Sequence, residues 1–77
     1  MARRVFSQFE AVSAMVPVEG GGYQAAIAVK HLVGGGAPRF HKVLDGQHFT
    51  SAVAADTAAS AELDRLQGVT EDGELFW

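Results

Sequence analysis

From Tyr23 to Val33 the side chains alternate along the chain. Tyr23, Ala25, Ile27, Val29, His31 and Val33 fall on one face, and Gln24, Ala26, Ala28, Lys30 and Leu32 on the other. A period of two sustained this long predicts a β-strand over 22–33. Residues 9–18 repeat the period through Val12, Ala14, Val16 and Val18 and predict a strand before it. A helical signal competes there, because Ser7 and Glu10 have capping-box spacing while Val5, Phe9, Val12 and Val16 share a helical stripe. Pro17 would end such a helix within two turns, and in a sheet it belongs on an edge, so 9–18 is read as an edge strand. Gly20-Gly21-Gly22 supplies the turn between these strands, and Gly34-Gly35-Gly36-Ala37-Pro38 leads to a third over 38–45. Asp45-Gly46 then closes that strand with a turn signal. For the last pair, Val29 opposite Leu44 and Val33 opposite Phe40 gives the better core.

After Phe49 the period changes. Ala52, Ala55, Ala59, Leu63 and Leu66 recur at helical spacing, flanked by Ala58 and Val69, and predict a helix over 51–67. Ser51 or Thr50 caps its start, and Gly68 is placed to stop it. A tail over 68–77 ends in Leu75, Phe76 and Trp77, an apolar cluster that water disfavours. It is expected to dock, either on its own sheet or across a subunit interface. The order β-β-β-α gives a fold class of α+β: a three-stranded antiparallel β-meander with one C-terminal helix packed on one face, spanning 1–77 as a single domain.

Size qualifies this picture. A chain of 77 residues builds one core, and much of its 48% apolar content is alanine, which buries little area. Such cores supply roughly 3–5 kcal/mol unless a disulfide, a metal or a partner adds to them. There is no cysteine, so self-association as a homodimer is the expected reinforcement. No apolar run approaches the ~20 residues of a membrane span. The opening Met1-Ala2-Arg3-Arg4 is followed by Ser7, Gln8, Glu10 and Ser13 instead of the apolar segment of a signal peptide. A cytoplasmic protein without a membrane partner is the expectation. Charge divides along the chain: residues 1–48 hold five Arg/Lys against three acids (+2), and residues 49–77 hold one against six (−5). A basic sheet with an acidic helix and tail suits head-to-tail contacts or weak polyanion binding.

Little in the chain points to catalysis. The triple glycines join strand to strand without a following Gly-Lys-Ser/Thr, so they read as hairpin turns and not as phosphate loops. His31, His41 and His48 lack nearby carboxylates at a useful spacing, and the preferred register puts His31 and His41 on opposite faces; no metal is expected. Ser51 and Thr50 lack a nucleophile elbow, and Glu62 and Asp64 do not converge. One sheet and one helix hardly enclose the ~300 Å³ of a substrate pocket. No catalytic residue and no cofactor is assigned. Lys30, Arg39, His41 and Lys42 are placed on the sheet face away from the helix, as a candidate face for a protein partner or nucleic acid. Aromatic platforms are missing there unless Phe40 points outward. The reading is a non-enzymatic protein-interaction module that self-associates. The alternative is a small transcriptional regulator or nucleic-acid-binding domain using the basic sheet face.

Gly21-Gly22-Tyr23-Gln24-Ala25-Ala26-Ile27, Phe49-Thr50-Ser51, the alanine-rich helix and Asp72-Gly73-Glu74-Leu75-Phe76 together resemble small proteobacterial HlyU-like proteins. The resemblance implies a short sheet-plus-helix domain and, for some members, activation of haemolysin transcription. The charged second-strand segment and basic helix surface associated with that family have no counterpart here.

Overall fold

A computed structural model describes residues 2–34, 36–44 and 46–77. The fold is α+β, with one helix and an antiparallel meander, but the main sheet has four strands in the order β1-β2-β3-β4, not three. The strands are β1 (Arg3–Phe6), β2 (Phe9–Pro17), β3 (Tyr23–His31) and β4 (Arg39–Lys42). Helix α1 (Ala52–Arg65) follows, and then a small hairpin of β5 (Gly68–Val69) and β6 (Leu75–Phe76). The expected turn residues Gly35 and Asp45 lie outside the described residues.

The additional strand is β1. It folds back on β2 with Phe6 opposite Phe9, so Ser7 and Gln8 alone make the turn. Ser7 adopts φ 55°, the sign that two-residue hairpin turns demand and usually obtain from Gly or Asn. The Ser-Gln pair carries no turn signature, and the hydrophobic pattern assigns residues 3–8 to no strand. β1 pairs only with Phe9 to Val12 of β2. Among the described residues no strand flanks β2 from Ala14 to Pro17 on that side. Pro17 thus sits at an edge, where its missing N–H breaks no ladder.

The β3–β4 register differs from the expected one. Val29 faces Arg39, not Leu44, and Ala28 faces Phe40. The cause is local. Leu44 takes φ 57°, leaves the extended region and accepts a hydrogen bond from Gln47 N–H at 3.0 Å. The strand therefore ends early, and the chain returns to β3 only where Phe49 and Tyr23 exchange two backbone bonds of 2.7 Å each. The slip for Val29 is from 44 to 39, an odd number of positions, so every β4 side chain changes face.

α1 lies across β2 and β3. Its residues Ala59 and Leu63, with Leu66 just past its end, join Phe9, Ala11, Ala25, Ile27, Val29 and Val43 in one buried cluster, and Ala55 is fully buried beside them. Ala52, expected in that stripe, is only half-buried. Ser51 caps the helix as expected, its side chain accepting from Ala54 N–H at 3.1 Å. The other end is closed differently from expectation. Gly68 belongs to β5, and the C-cap is Leu66. Arg4 from β1 donates to the carbonyls of Leu63 (2.9 Å) and Leu66 (2.7 Å), satisfying acceptors that a helix end leaves free. Near the start of α1, Ser13 on β2 is 1% exposed. Its Oγ accepts from Ala2 N–H and donates to Asp56 Oδ1, each at 2.8 Å.

Leu63 has no accessible surface, and truncating it to alanine should cost about 2–5 kcal/mol. Urea denaturation of Leu63→Ala is expected to show a midpoint near zero or no cooperative transition. An unchanged midpoint would contradict the packing of α1 on the sheet.

A candidate interaction surface

Strand pairing sorts the sheet into rows, and the rows define two faces. On the face toward α1 one row runs Arg4, Ala11, Val29, Arg39 and the next Ser13, Ile27, His41. On the other face the rows are Val5, Glu10, Lys30; Arg3, Val12, Ala28, Phe40; Ala14, Ala26, Lys42; and Val16, Gln24.

The four residues expected to share the open face are thus divided. Lys30 and Lys42 are there, together with Arg3. Arg39 and His41 are on the helix side, sent there by the odd register slip, and both are engaged with the C-terminal segment. Arg39 donates to the Asp72 carbonyl at 3.0 Å and pairs with Glu74 at 2.9 Å. The Gly73 carbonyl accepts from His41 Nε2 at 2.8 Å, and His41 Nδ1 lies 3.8 Å from the Glu74 carboxylate. Their sequence signal was one of residue type, whereas their geometry makes them clamps.

These clamps seat the tail. β6 pairs with β5 through Gly68–Phe76 and Val69–Leu75, and Leu75 packs against the main core. Gly68 leaves room for the Phe76 ring, since a Cβ there would lie 2.5 Å from it. Phe76 and Trp77 remain about half exposed. Of the three tail residues, Leu75 is the one drawn into the core, and it docks within its own chain.

No element covers the opposite face among the described residues. Yet Ala26 and Ala28 are 0% and 4% exposed, shielded by the larger side chains around them. The result is a trough: a floor of Ala14 and Ala28 between Val12 and a 54%-exposed Phe40, with Ala26 buried beside it. Its open cavity of about 820 Å³ reaches past the uncovered β2 edge to Val53 and Thr57 on α1. Glu10 and Lys30, 4.0 Å apart, bound one end; Glu10 also pairs with Arg3. The trough escaped the sequence reading because Ala26 and Ala28 looked like the bland face of β3. Phe40 turning outward, weighed there as a condition, was the available signal.

The histidines do not converge. His31 stacks on Phe9 with centroids 4.3 Å apart, and His41 sits opposite Ile27, on the same face as His31 rather than the opposite one. Among the described residues no group of three His, Cys, Asp or Glu is placed to hold a metal ion. No helix is long and apolar enough to cross a membrane. Compared with protein-family models, curated proteins and solved structures, the chain matches none.

Removing Leu75, Phe76 and Trp77 deletes β6 and uncovers the core beneath Leu75. A loss of about 1–2 kcal/mol is expected, lowering the melting temperature by roughly 5–10 °C with no change in oligomeric state. An unchanged melt would show that the tail adds nothing to the fold.

Proposed function

We propose that this protein is a non-enzymatic interaction module whose working surface is the open face of the sheet. The observation that carries this reading is the trough itself. A solvated sheet face alternates away from the core toward polar residues, whereas here Val12, Ala14, Ala26, Ala28 and Phe40 are adjacent on it. Apolar surface gathered in this way, rimmed by charge, is the usual mark of a binding site. The rim is Arg3, Glu10, Lys30 and Lys42. The groove is open, and its polar lining is taken up in pairs, Glu10 with Lys30 and Ser13 with Asp56, so it suits contact and not chemistry.

A nucleic-acid reading, which the HlyU-like resemblance would favour, rests on Arg3, Lys30 and Lys42 sharing this face. Phe40 is the one aromatic in the rows on that face, where a stacking platform calls for several. The protein-contact reading uses the apolar floor as well as the rim, and it is the one adopted.

The surface can be tested without a known partner. The folded protein should bind an apolar fluorescent probe such as anilinonaphthalene sulfonate, and Phe40→Glu should weaken that binding about tenfold, equivalent to ~1.4 kcal/mol. Because Phe40 is more than half exposed, the melting temperature of the variant should stay within a few degrees. Probe binding indifferent to Phe40→Glu would overturn the assignment. Binding of duplex DNA that is submicromolar and falls steeply with salt would instead favour the nucleic-acid reading.

A further inference from the structure

The outer face of α1 is as unusual as the open sheet. Val53, Thr57 and Ala61 are its exposed residues through the first ten positions, and they stand one above another at four-residue spacing. Val53 is 76% exposed. None carries a charge, although a solvated helix face is normally polar and charged. Charge is instead held at the flanks. Asp56 is bonded by Ser13, and Glu62 pairs with Arg65 at 3.0 Å. The stripe ends at Asp64, which is exposed and whose carboxylate takes part in no ion pair among the described residues.

We infer that the trough on the open sheet face receives the outer face of α1 from a second copy of this chain. The inference rests on the proposed reading of the trough as a binding surface and names its occupant. Three features support it. The first is shape: α1 already packs on small residues of the covered face, Ala11 and Ala25, and the open face offers Ala14 and Ala28 between the larger Val12 and Phe40. The second is length, since the stripe from Val53 to Asp64 spans about 16 Å and the β3 row from Gln24 to Lys30 about 20 Å.

The third is charge. The trough rim holds Arg3, Lys30 and Lys42 against Glu10, and Lys42 has no ion-pair partner among the described residues. Asp64 at the end of the stripe supplies the opposite sign. Sheet-to-sheet or helix-to-helix pairing would instead bring like charges together. The contact is heterologous, helix stripe to trough: Val53 and Thr57 also border the trough of their own copy, so Ala61 and Asp64, outside that lining, are the part of the stripe offered to the next neighbour. Such a contact makes chains or rings, not closed two-fold dimers.

The test uses the intact chain and two variants at exposed positions, Phe40→Glu in the trough and Ala61→Arg on the helix. Sedimentation is followed up to about 1 mM, enough to populate a millimolar contact. For the unaltered chain the weight-average mass should rise past twice the 8.1 kDa of one copy. Each variant alone should remain at the mass of one copy. Their equimolar mixture should form a pair and stop there, because only one helix face and one trough remain intact. A charge exchange provides a second route: Lys42→Glu and Asp64→Lys should each weaken association severalfold, and mixing the two should restore it. An unaltered chain that stays monomeric yet binds the apolar probe at Phe40 would overturn this inference and leave the binding-surface reading standing. Loss of both results would remove the two together. Association that Phe40→Glu abolishes and Ala61→Arg leaves intact would overturn the head-to-tail arrangement in favour of sheet-to-sheet pairing.

Discussion

Where α1 crosses the sheet, alanines on the helix lie over a strand surface that is itself rich in alanine. Ala55 and Ala59 are completely buried above β2 and β3, as are Ala11 and Ala25 on the strands. Small side chains on both partners let the backbones approach closely, and close approach sets what else can reach. Arg4 spans from β1 to the last carbonyls of the helix, and Ser13 spans from β2 to Asp56 near its start. Larger residues at these crossings would lift the helix and leave both contacts out of reach. The larger side chains, Ile27, Leu63 and Leu66, fill the core around this narrow crossing.

Close packing in the middle of the sheet places special demands on its borders. The row Ala11–Val29 is flanked by Arg4 on β1 and Arg39 on β4, one arginine at each end. Both donate to backbone carbonyls of segments packed against the sheet, Arg4 to the helix end and Arg39 to the β5–β6 turn. Planar guanidinium groups suit this work because several N–H donors leave one rigid fork. Arg4 also lies over the Phe6 ring at 4.6 Å, which holds the side chain above its own strand. Basic residues that read as a surface for partners are thus partly spent on closing the fold.

The parts of the fold legible in the sequence were those governed by local pattern. The alternation of Tyr23 to Val33, the alanine-leucine stripe of the helix and the Ser51 cap all state their conformation within a few residues. Illegible were the parts set by backbone conformations their residue types do not advertise. Ser7 at φ 55° creates β1, and Leu44 at φ 57° ends β4 and shifts its register. Neither residue type favours positive φ, so no local signal announces either turn. One slip of this kind reassigned the candidate site, because an odd shift took Arg39 and His41 off the open face and put Phe40 on it. Gly68 was misread for a related reason: a glycine after a helix suggests a stop, while here it yields space to Phe76.

The same economy in side-chain size explains why the molecule presents apolar surface at both ends of its layers. A single helix of 14 residues can cover one face of a four-stranded sheet and no more. A chain that needed only to fold alone would make the other face polar, at no cost to the core. It would also charge the outer helix positions, where Lys and Glu serve at least as well as valine or threonine. This chain does neither: Ala14 and Ala28 lie at the floor of the open face, and Val53, Thr57 and Ala61 line the outside of the helix. The two departures adjoin where the cavity passes the β2 edge to Val53 and Thr57, and the proposed contact between copies would cover both. A third layer on the open face would give the central strands cover on both sides, as sheets with near-continuous apolar composition require.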